Sequence, residues 1–374
     1  MAKTKLPSLV STKKVLHRLS VISVFWCLGS GGAYAAATSS APNTHTAPNT
    51  HTALSASSVH ENQQADTPRI IAAGGSVTEI IYALGRGDWV VATDSTSMFP
   101  AAATEVTKLG YFRQLSTEGV LAQQPSLLLG ASATGPEPML EQVAKAGVDV
   151  HVYHVSKDID GLSEMVLDIG HRVSAVEKAE QLVTDLHRQV DVQQRQYSEA
   201  IASYVSTGYP NTISALFVVA NNDRGITVAG AKTVPQALFD TLGMTNIASD
   251  LVGYKLMDAE SVLARNPDVV FAAGHMLHGK NALNSLCSHH AIATTFAGQH
   301  CLVKAMDSSI GLGLSPRFAI ALKAVAEHGL RALSLKAANT VMQESASQVH
   351  IAQSTGLDKN TNTDNNSHDM GRFE

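Results

Sequence analysis

Gly110-Tyr111-Phe112-Arg113-Gln114, running on as LSTEGVLAQQPSLLLGA from Leu115 to Ala131, returns later in the chain in altered form. The second version is Gly253-Tyr254-Lys255-Leu256, followed by MDAESVLARNPDVVFAA from Met257 to Ala273. Each copy carries a Gly-Tyr turn, a glutamate early in a short helix (Glu118, Glu260), a Val-Leu-Ala face and a proline (Pro125, Pro267) ahead of a buried strand. A unit this small cannot bury its own apolar face. Two related copies therefore predict two α/β lobes with a cleft between them.

Working outward, apolar runs alternate with helical patterns on both sides of each copy. Ile70–Ala73 reads as a strand, Gly74-Gly75-Ser76 as a turn, and Val77–Leu84 as a helix for which Ser76 and Glu79 have the spacing of a capping box. Trp89–Ala92, Leu127–Leu129 and Val148–Val152 read as further strands. Gly74-Gly75 lacks the remaining residues of a dinucleotide or Walker loop, which excludes nucleotide binding there.

Ser156 reads as a helix cap. Val176, Ala179, Leu182, Val183, Leu186, Val190, Tyr197 and Ile201 then mark the apolar face of a helix from Ala175 to Val205, roughly 46 Å long at 1.5 Å per residue. Strands at Thr212–Val219 and Gly225–Gly230, a helix at Pro235–Leu242 and a last helix at Phe318–Leu335 complete the pattern. The fold class is α/β: two Rossmann-like lobes with central sheets flanked by helices, joined by one long connecting helix. The N-terminal lobe spans 68–156, the connecting helical segment 157–204 and the C-terminal lobe 205–336.

Both ends read differently from this body. Lys3, Lys5, Lys13, Lys14 and Arg18 precede an apolar run from Leu19 to Leu28 and then Ala33-Tyr34-Ala35, so residues 1–35 form a signal peptide. The run is far shorter than the ~20 residues of a spanning helix. Residues 36–67 form a flexible linker containing APNTHT twice in succession, with His45 and His51 as repeat filler. Residues 337–374 turn polar and read as a disordered tail.

The whole chain has 374 residues, 44% of them hydrophobic and 16% charged, within the range of soluble globular proteins. Loss of the five basic side chains of the signal takes the formal charge from −5 to −10, a poor match for nucleic acid or anionic membrane surfaces. Cys287 and Cys301 remain after the signal, outside any C-x-x-C motif; an oxidising compartment permits their pairing, and the sequence leaves it open. No G-x-S-x-G, H-E-x-x-H or paired-carboxylate motif is present, so the chain does not read as an enzyme.

Ala73-Gly74-Gly75-Ser76-Val77-Thr78-Glu79, the stretch from Gly110 through Leu129, the stretch from Gly225 through Leu242, and Leu314-Ser315-Pro316-Arg317 after Met306-Asp307 together carry a family likeness. The chain resembles periplasmic haem-binding proteins of ABC importers, in the class III group that also contains cobalamin and siderophore binders. By spacing alone Tyr111 reads as a turn aromatic. The resemblance implies instead that Tyr111 is the axial ligand of haem iron, with haem (iron protoporphyrin IX) as the transported ligand.

Ferric iron is a hard acid and a phenolate a hard base, and Arg113 two residues on can stabilise the phenolate. The resemblance further implies that Glu118 and Glu260 dock on arginines of an ABC permease dimer served by its ATPase, that the protein is a periplasmic monomer, and that the lobes move little on binding. Arg224, Lys255, Lys280 and Arg317 are candidate contacts for the haem propionates or cleft, against the bland reading of solvated charges.

His275 and His278 are candidates for a second axial ligand, against ordinary loop histidines. His289, His290 and His300 read as loop histidines rather than a metal site. Tyr82, Met98 and Phe99 are candidate walls for the porphyrin. Tyr254 has a loop one residue shorter, with Leu256 where Arg113 would stand, and reads as the non-ligating twin of Tyr111. The alternative ligand is a ferric siderophore or cobalamin, which leaves Tyr111-x-Arg113 unexplained.

Overall fold

The computed structural model describes residues 67–205, 212–222 and 225–357. The expected signal peptide, almost all of the expected linker with His45 and His51, Arg224, and the tail from 358 onward lie outside the described residues.

The N-terminal lobe is built on β1 (Ile70–Ala73), whose four residues are all buried. It is followed by α1 (Gly75–Ala83), β2 (Val90–Thr93), β3 (Thr107–Lys108), α2 (Thr117–Leu121), β4 (Leu127–Gly130), α3 (Glu137–Lys145) and β5 (Asp149–Val152). The sheet is parallel throughout, in the order β3-β2-β1-β4-β5, with Ile70 level with Leu127 and Ala73 level with Gly130. Side chains alternate across it. Ile70, Ala72, Leu127 and Leu129 join one core, whereas Ile71, Ala73 and Leu128 join another with Val120 of α2 and Met139, Leu140 and Val143 of α3. A strand apolar on both faces is what a parallel sheet covered on both sides demands.

The chain winds outward from β1 to β2 and β3, then crosses back to β4 and β5 on the other side. This reversal is a switch point, where α/β sheets place ligands beyond the carboxyl ends of their strands.

The expected connecting segment is two helices, α4 (Ile159–Arg172) and α5 (Val176–Val205). Their cap differs from expectation: the Asp158 carboxylate accepts the Gly161 N–H at 2.9 Å, and Ser156 donates its hydroxyl to Asp158 instead of capping. At 30 residues, α5 is about 45 Å long.

The C-terminal lobe contains β6 (Ser214–Asn222), β7 (Gly225–Ala229), α6 (Val234–Thr241), β8 (Thr245–Asn246), β9 (Tyr254–Met257), α7 (Ala259–Arg265) and β10 (Val269–Ala273). It continues with α8 (Ala282–Cys287), α9 (Phe296–Gln299), β11 (Val303–Met306), α10 (Ser308–Gly311) and α11 (Phe318–Leu357). Its sheet runs β11-β10-β6-β7-β9, with β8 beside β6; the β6–β7 and β7–β9 pairs are antiparallel.

The two copies of the repeated block therefore diverge at their start. Phe112–Gln114 makes one turn of 3-10 helix, whereas Tyr254 does not sit in a turn but opens β9, pairing with Ala229. The free edge of β7 gives the second copy a partner for its Tyr-Lys-Leu-Met run.

Helix α11 runs on from Leu335, where sequence polarity suggested an end, to Leu357. The continuation Lys336-Ala337-Ala338-Asn339 is polar but holds good helix formers and no glycine or proline. It is also anchored: Lys336 Nζ pairs with buried Asp268, and Asn339 lies 3.4 Å from the His300 ring nitrogen. Cys287 and Cys301 are joined in a disulfide, with Cα atoms 5.3 Å apart. Among the described residues no helix is long and apolar enough to cross a membrane.

One apolar core passes through both lobes, from Ile80 and Leu162 through Leu186 of α5 to Phe217, Phe271 and Phe318. On its far side His328 of α11, 7% exposed, packs edge-on against Phe271 with ring centroids 5.4 Å apart. Burial lowers its pKa, the charges of Lys304 and Arg331 act in the same direction, and the Leu302 backbone opposes them.

The unfolded chain thus takes up this proton first, and stability falls as pH drops below about 6.5. Chemical denaturation between pH about 7.5 and about 5 checks this: His328→Phe should flatten the loss of stability relative to the wild type. An unchanged slope would assign the acid sensitivity to other groups.

Candidate functional site

At the carboxyl end of β1 the chain turns at Gly74, with φ 104°, where an added Cβ would stand only 2.5 Å from that of Ala131. Helix α1 begins there with no side-chain cap, so the expected Ser76–Glu79 box does not form. Asp94, 1% exposed at the end of β2, organises the turn instead. Its Oδ1 accepts from Gly74 N at 2.9 Å and Ser97 Oγ at 2.5 Å; its Oδ2 accepts from Thr96 N at 2.8 Å and Thr96 Oγ1 at 2.5 Å.

Lys108 Nζ adds a second clamp, donating to Ser97 O at 2.6 Å, Thr93 Oγ1 at 2.8 Å and Ala103 O at 3.0 Å. The loop so held leaves Met98 62% and Phe99 47% exposed. Rigid polar fixings beneath exposed apolar side chains make a surface ready for a ligand rather than a loose loop.

Tyr111 sits in the next loop, beyond β3. The loop is pinned on both sides: Ser95 N donates to Gly110 O at 2.7 Å, Gly135 N to Phe112 O at 3.0 Å, and Leu115 N to Gly135 O at 2.9 Å. Tyr111 is 42% exposed and meets Phe112 edge-on at 4.9 Å, and the Arg113 guanidinium lies 5.9 Å from the Tyr111 ring centre.

The other lobe faces this group with Tyr254. Desolvation raises the Tyr254 phenol's pKa although 44% of the residue's surface is open, and the positive charge of Arg113 opposes that rise. The charge of Arg113 therefore acts on the tyrosine of the other lobe as well as lying near the Tyr111 ring. Val252 and Leu256, also about half exposed, flank Tyr254.

Arg317, expected to face a free ligand, faces the N-terminal lobe. Its Nε donates to Glu79 Oε2 at 2.9 Å, its Nη2 donates to Glu79 Oε1 and to Ser309 Oγ, and its charge is neutralised there. Its guanidinium carbon stands 4.2 Å over the Phe99 ring.

Lys157, which no sequence signal singled out, is half-buried beyond the carboxyl end of β5, with its pKa lowered by desolvation and no ion pair among the described residues. Lys255 and Lys280 are exposed, also without ion pairs to described residues. His275 has Nδ1 2.7 Å from Ser308 Oγ, leaving Nε2 outward, and His278 is exposed.

Tyr82 lies at the C-terminal end of α1, against Gly87. His289 and His290 stack at 4.4 Å and His300 packs on Phe296, but no cluster of three or more metal-binding side chains occurs among the described residues.

Glu118 and Glu260 hold matching places, each the second residue of a short helix and each exposed. Ser116 caps α2 by accepting from Gly119 N at 3.1 Å, and Asp258 caps α7 by accepting from Ser261 N at 2.7 Å. Two cavities lie elsewhere. One of about 430 Å³ is bordered by α3 and β5, and one of about 370 Å³ adjoins the disulfide.

Asp94-Ser95-Thr96-Ser97 carries an Asx-turn signature that would have revealed the anchor. Glu79 and Tyr254 had no such signal, because their partners lie in the opposite lobe.

The family profile described as "Periplasmic binding protein" matches residues 70–310, and the chain belongs to that family. Among solved structures it is similar to the periplasmic haem-binding protein RhuT from Roseiflexus sp. RS-1, with 27% identity, TM-score 0.63, and coverage of 71% of this chain and 99% of that one. It is similar also to a periplasmic haem-binding protein from Pseudomonas aeruginosa, at 29% identity and TM-score 0.63 over 71% and 94% of the two chains. Among curated relatives, the vitamin B12-binding protein of Vibrio campbellii is 26% identical over 231 residues, 59% of this chain and 79% of the relative.

Asp94→Ala would leave several donors unmatched. Since a hydrogen bond to a charged group contributes about 1.5–3 kcal/mol, urea unfolding should show a loss of at least about 3 kcal/mol. A loss below about 1 kcal/mol would contradict the anchoring role.

Proposed function

We propose that this periplasmic binding protein is a haem receptor: it takes haem into the interlobe trough with Tyr111 as axial ligand and delivers it, chemically unchanged, to an inner-membrane ABC permease and its ATPase. The observation that carries this reading is the exposed apolar and aromatic surface on both lobes. Met98, Phe99 and Tyr111 stand on one lobe and Val252, Tyr254 and Leu256 on the other, all six among the most exposed large hydrophobic side chains described. Apolar surface gathered in this way marks a binding site, and a porphyrin has two flat apolar faces to cover. The solved relatives named above as haem-binding support the same reading.

The chemistry fits the cargo. Arg113 lies near the Tyr111 ring, and a phenolate oxygen is a ligand that ferric iron prefers. The haem propionates need cations. Lys157, Lys255 and Lys280 carry no ion pair among the described residues, and Arg224 joins them as a candidate; Arg317 does not, since Glu79 occupies its fork. His275, with Nε2 free, is the better placed of the two histidines for a second axial position. Glu118 and Glu260, alike in exposure and helix position, suit a two-point grip by the permease that can release at each cycle. The periplasm is the site of this work, and the working form is a monomer.

Cobalamin is the second reading, favoured by the curated relatives named as vitamin B12-binding proteins. A corrin would use the same apolar walls without engaging a phenolate.

Titration of the purified protein with haemin and, separately, with cyanocobalamin decides between them. The expected result is a Soret band of ferric tyrosinate character and tighter binding of haemin, with Tyr111→Phe losing that character and at least about ten-fold in affinity. Preference for cyanocobalamin would carry the second reading, and an unchanged spectrum in Tyr111→Phe would remove Tyr111 as ligand.

For docking, the double reversal Glu118→Arg with Glu260→Arg should abolish cellular uptake while haemin binding in solution is retained. Normal uptake by that variant would refute the two-point grip.

A further inference from the structure

Arg317 and Phe99 belong to different lobes, yet a closed circuit of contacts links them. The Arg317 guanidinium covers one face of the Phe99 ring at 4.2 Å. Its Nε and Nη2 grip both carboxylate oxygens of Glu79, a side chain only 3% exposed on α1. The neighbouring residue on α1, Thr78, has its hydroxyl 2.7 Å from that of Ser97. Ser97 is held by Asp94 and stands two residues before Phe99. On the C-terminal side Ser309 accepts from Arg317 and is itself fixed to Asp307, so the loop that carries Arg317 is also braced.

We propose that Glu79 and Arg317 are positioning residues for ligand capture: the pair spans the lobes and presses the Phe99 ring into place as one wall of the trough without touching the ligand. The guanidinium covers one face of the ring while 47% of the residue stays exposed, surface that a flat apolar guest can cover. A planar, delocalised guanidinium can grip a carboxylate in two places and stack on an aromatic at once, and a lysine cannot do both. The pair thereby sets trough width and wall orientation before the ligand arrives, which lowers the ordering cost of binding. The identity of the guest rests on the haem reading; the positioning of Phe99 does not.

The test uses Arg317→Lys and Glu79→Gln, which preserve size and much of the polarity, each alone and combined with Phe99→Leu. In the ligand-free protein, hydrogen–deuterium exchange across residues 94–100 should rise in both single variants while exchange in β1 and β4 stays as in the wild type. Unchanged exchange in 94–100 overturns the proposal whatever the ligand is.

In the haemin-loaded protein, Arg317→Lys should raise the haemin dissociation rate about ten-fold, an effect worth about 1.4 kcal/mol, and the increase should disappear in the Phe99→Leu background. A rate within about two-fold of the wild type, or an equal increase with and without Phe99, overturns the proposal, because the pair would then act on stability alone. If the wild type fails to bind haemin, the haem reading falls, and the exchange measurement still decides the positioning role.

Discussion

Glu79 and Arg317 are 238 residues apart in sequence and make a two-point ion pair with side chains 3% and 18% exposed. The relation between the lobes depends on this contact and on the apolar core beneath it. A buried pair of this kind adds little net stability, because desolvating both charges offsets their attraction, but removing one partner strands the other at roughly 3–5 kcal/mol. Its effect is on registry. Only an arrangement that brings the β11–α11 loop onto α1 satisfies both charges, and α5 and α11 fill the space behind with a core common to both lobes.

Within the N-terminal lobe, polar side chains beneath the surface hold the loops at the strand ends. Parallel strands end in loops whose backbone groups need partners: Asp94 accepts from the N–H groups of Gly74 and Thr96, and Lys108 donates to the carbonyl oxygens of Ser97 and Ala103. With its polar groups satisfied from below, the loop directs Met98 and Phe99 outward. The repeated block shows how a duplicated unit divides its tasks. The capped helices that carry Glu118 and Glu260 remain alike in the two lobes. The segments ahead of them part company: one becomes a pinned loop with Tyr111 and Arg113, and the other an edge strand that sets Tyr254 opposite.

Much of this was legible in the residues. Strands such as Ile70–Ala73 and Val269–Ala273 are apolar on both faces, and the long helix has its apolar face at regular spacing, so two α/β lobes and a connecting helix followed from local pattern. The repeated block also marked Tyr111 and the two glutamates. What sequence could not convey was pairing across the lobes. Glu79 has the spacing of a capping residue and Arg317 looks like a free loop cation, and only the fold joins them. Tyr254 has no arginine in its own loop, and the charge of Arg113 in the other lobe acts on its phenol. The extension of α11 was obscured for a different reason: polarity was read as lack of structure, although alanine-rich polar segments form good helices.

On the proposed reading, one flat iron-bearing ligand held by Tyr111 lies between the apolar surfaces of the two lobes. A crystal structure of the protein grown with haemin, with the iron located by its anomalous scattering, tests this most directly. The expected result is iron within bonding distance of the Tyr111 hydroxyl oxygen and a porphyrin lying between Phe99 and the Tyr254 side of the trough. Iron bound elsewhere, or a porphyrin outside the trough with Tyr111 unligated, would contradict it.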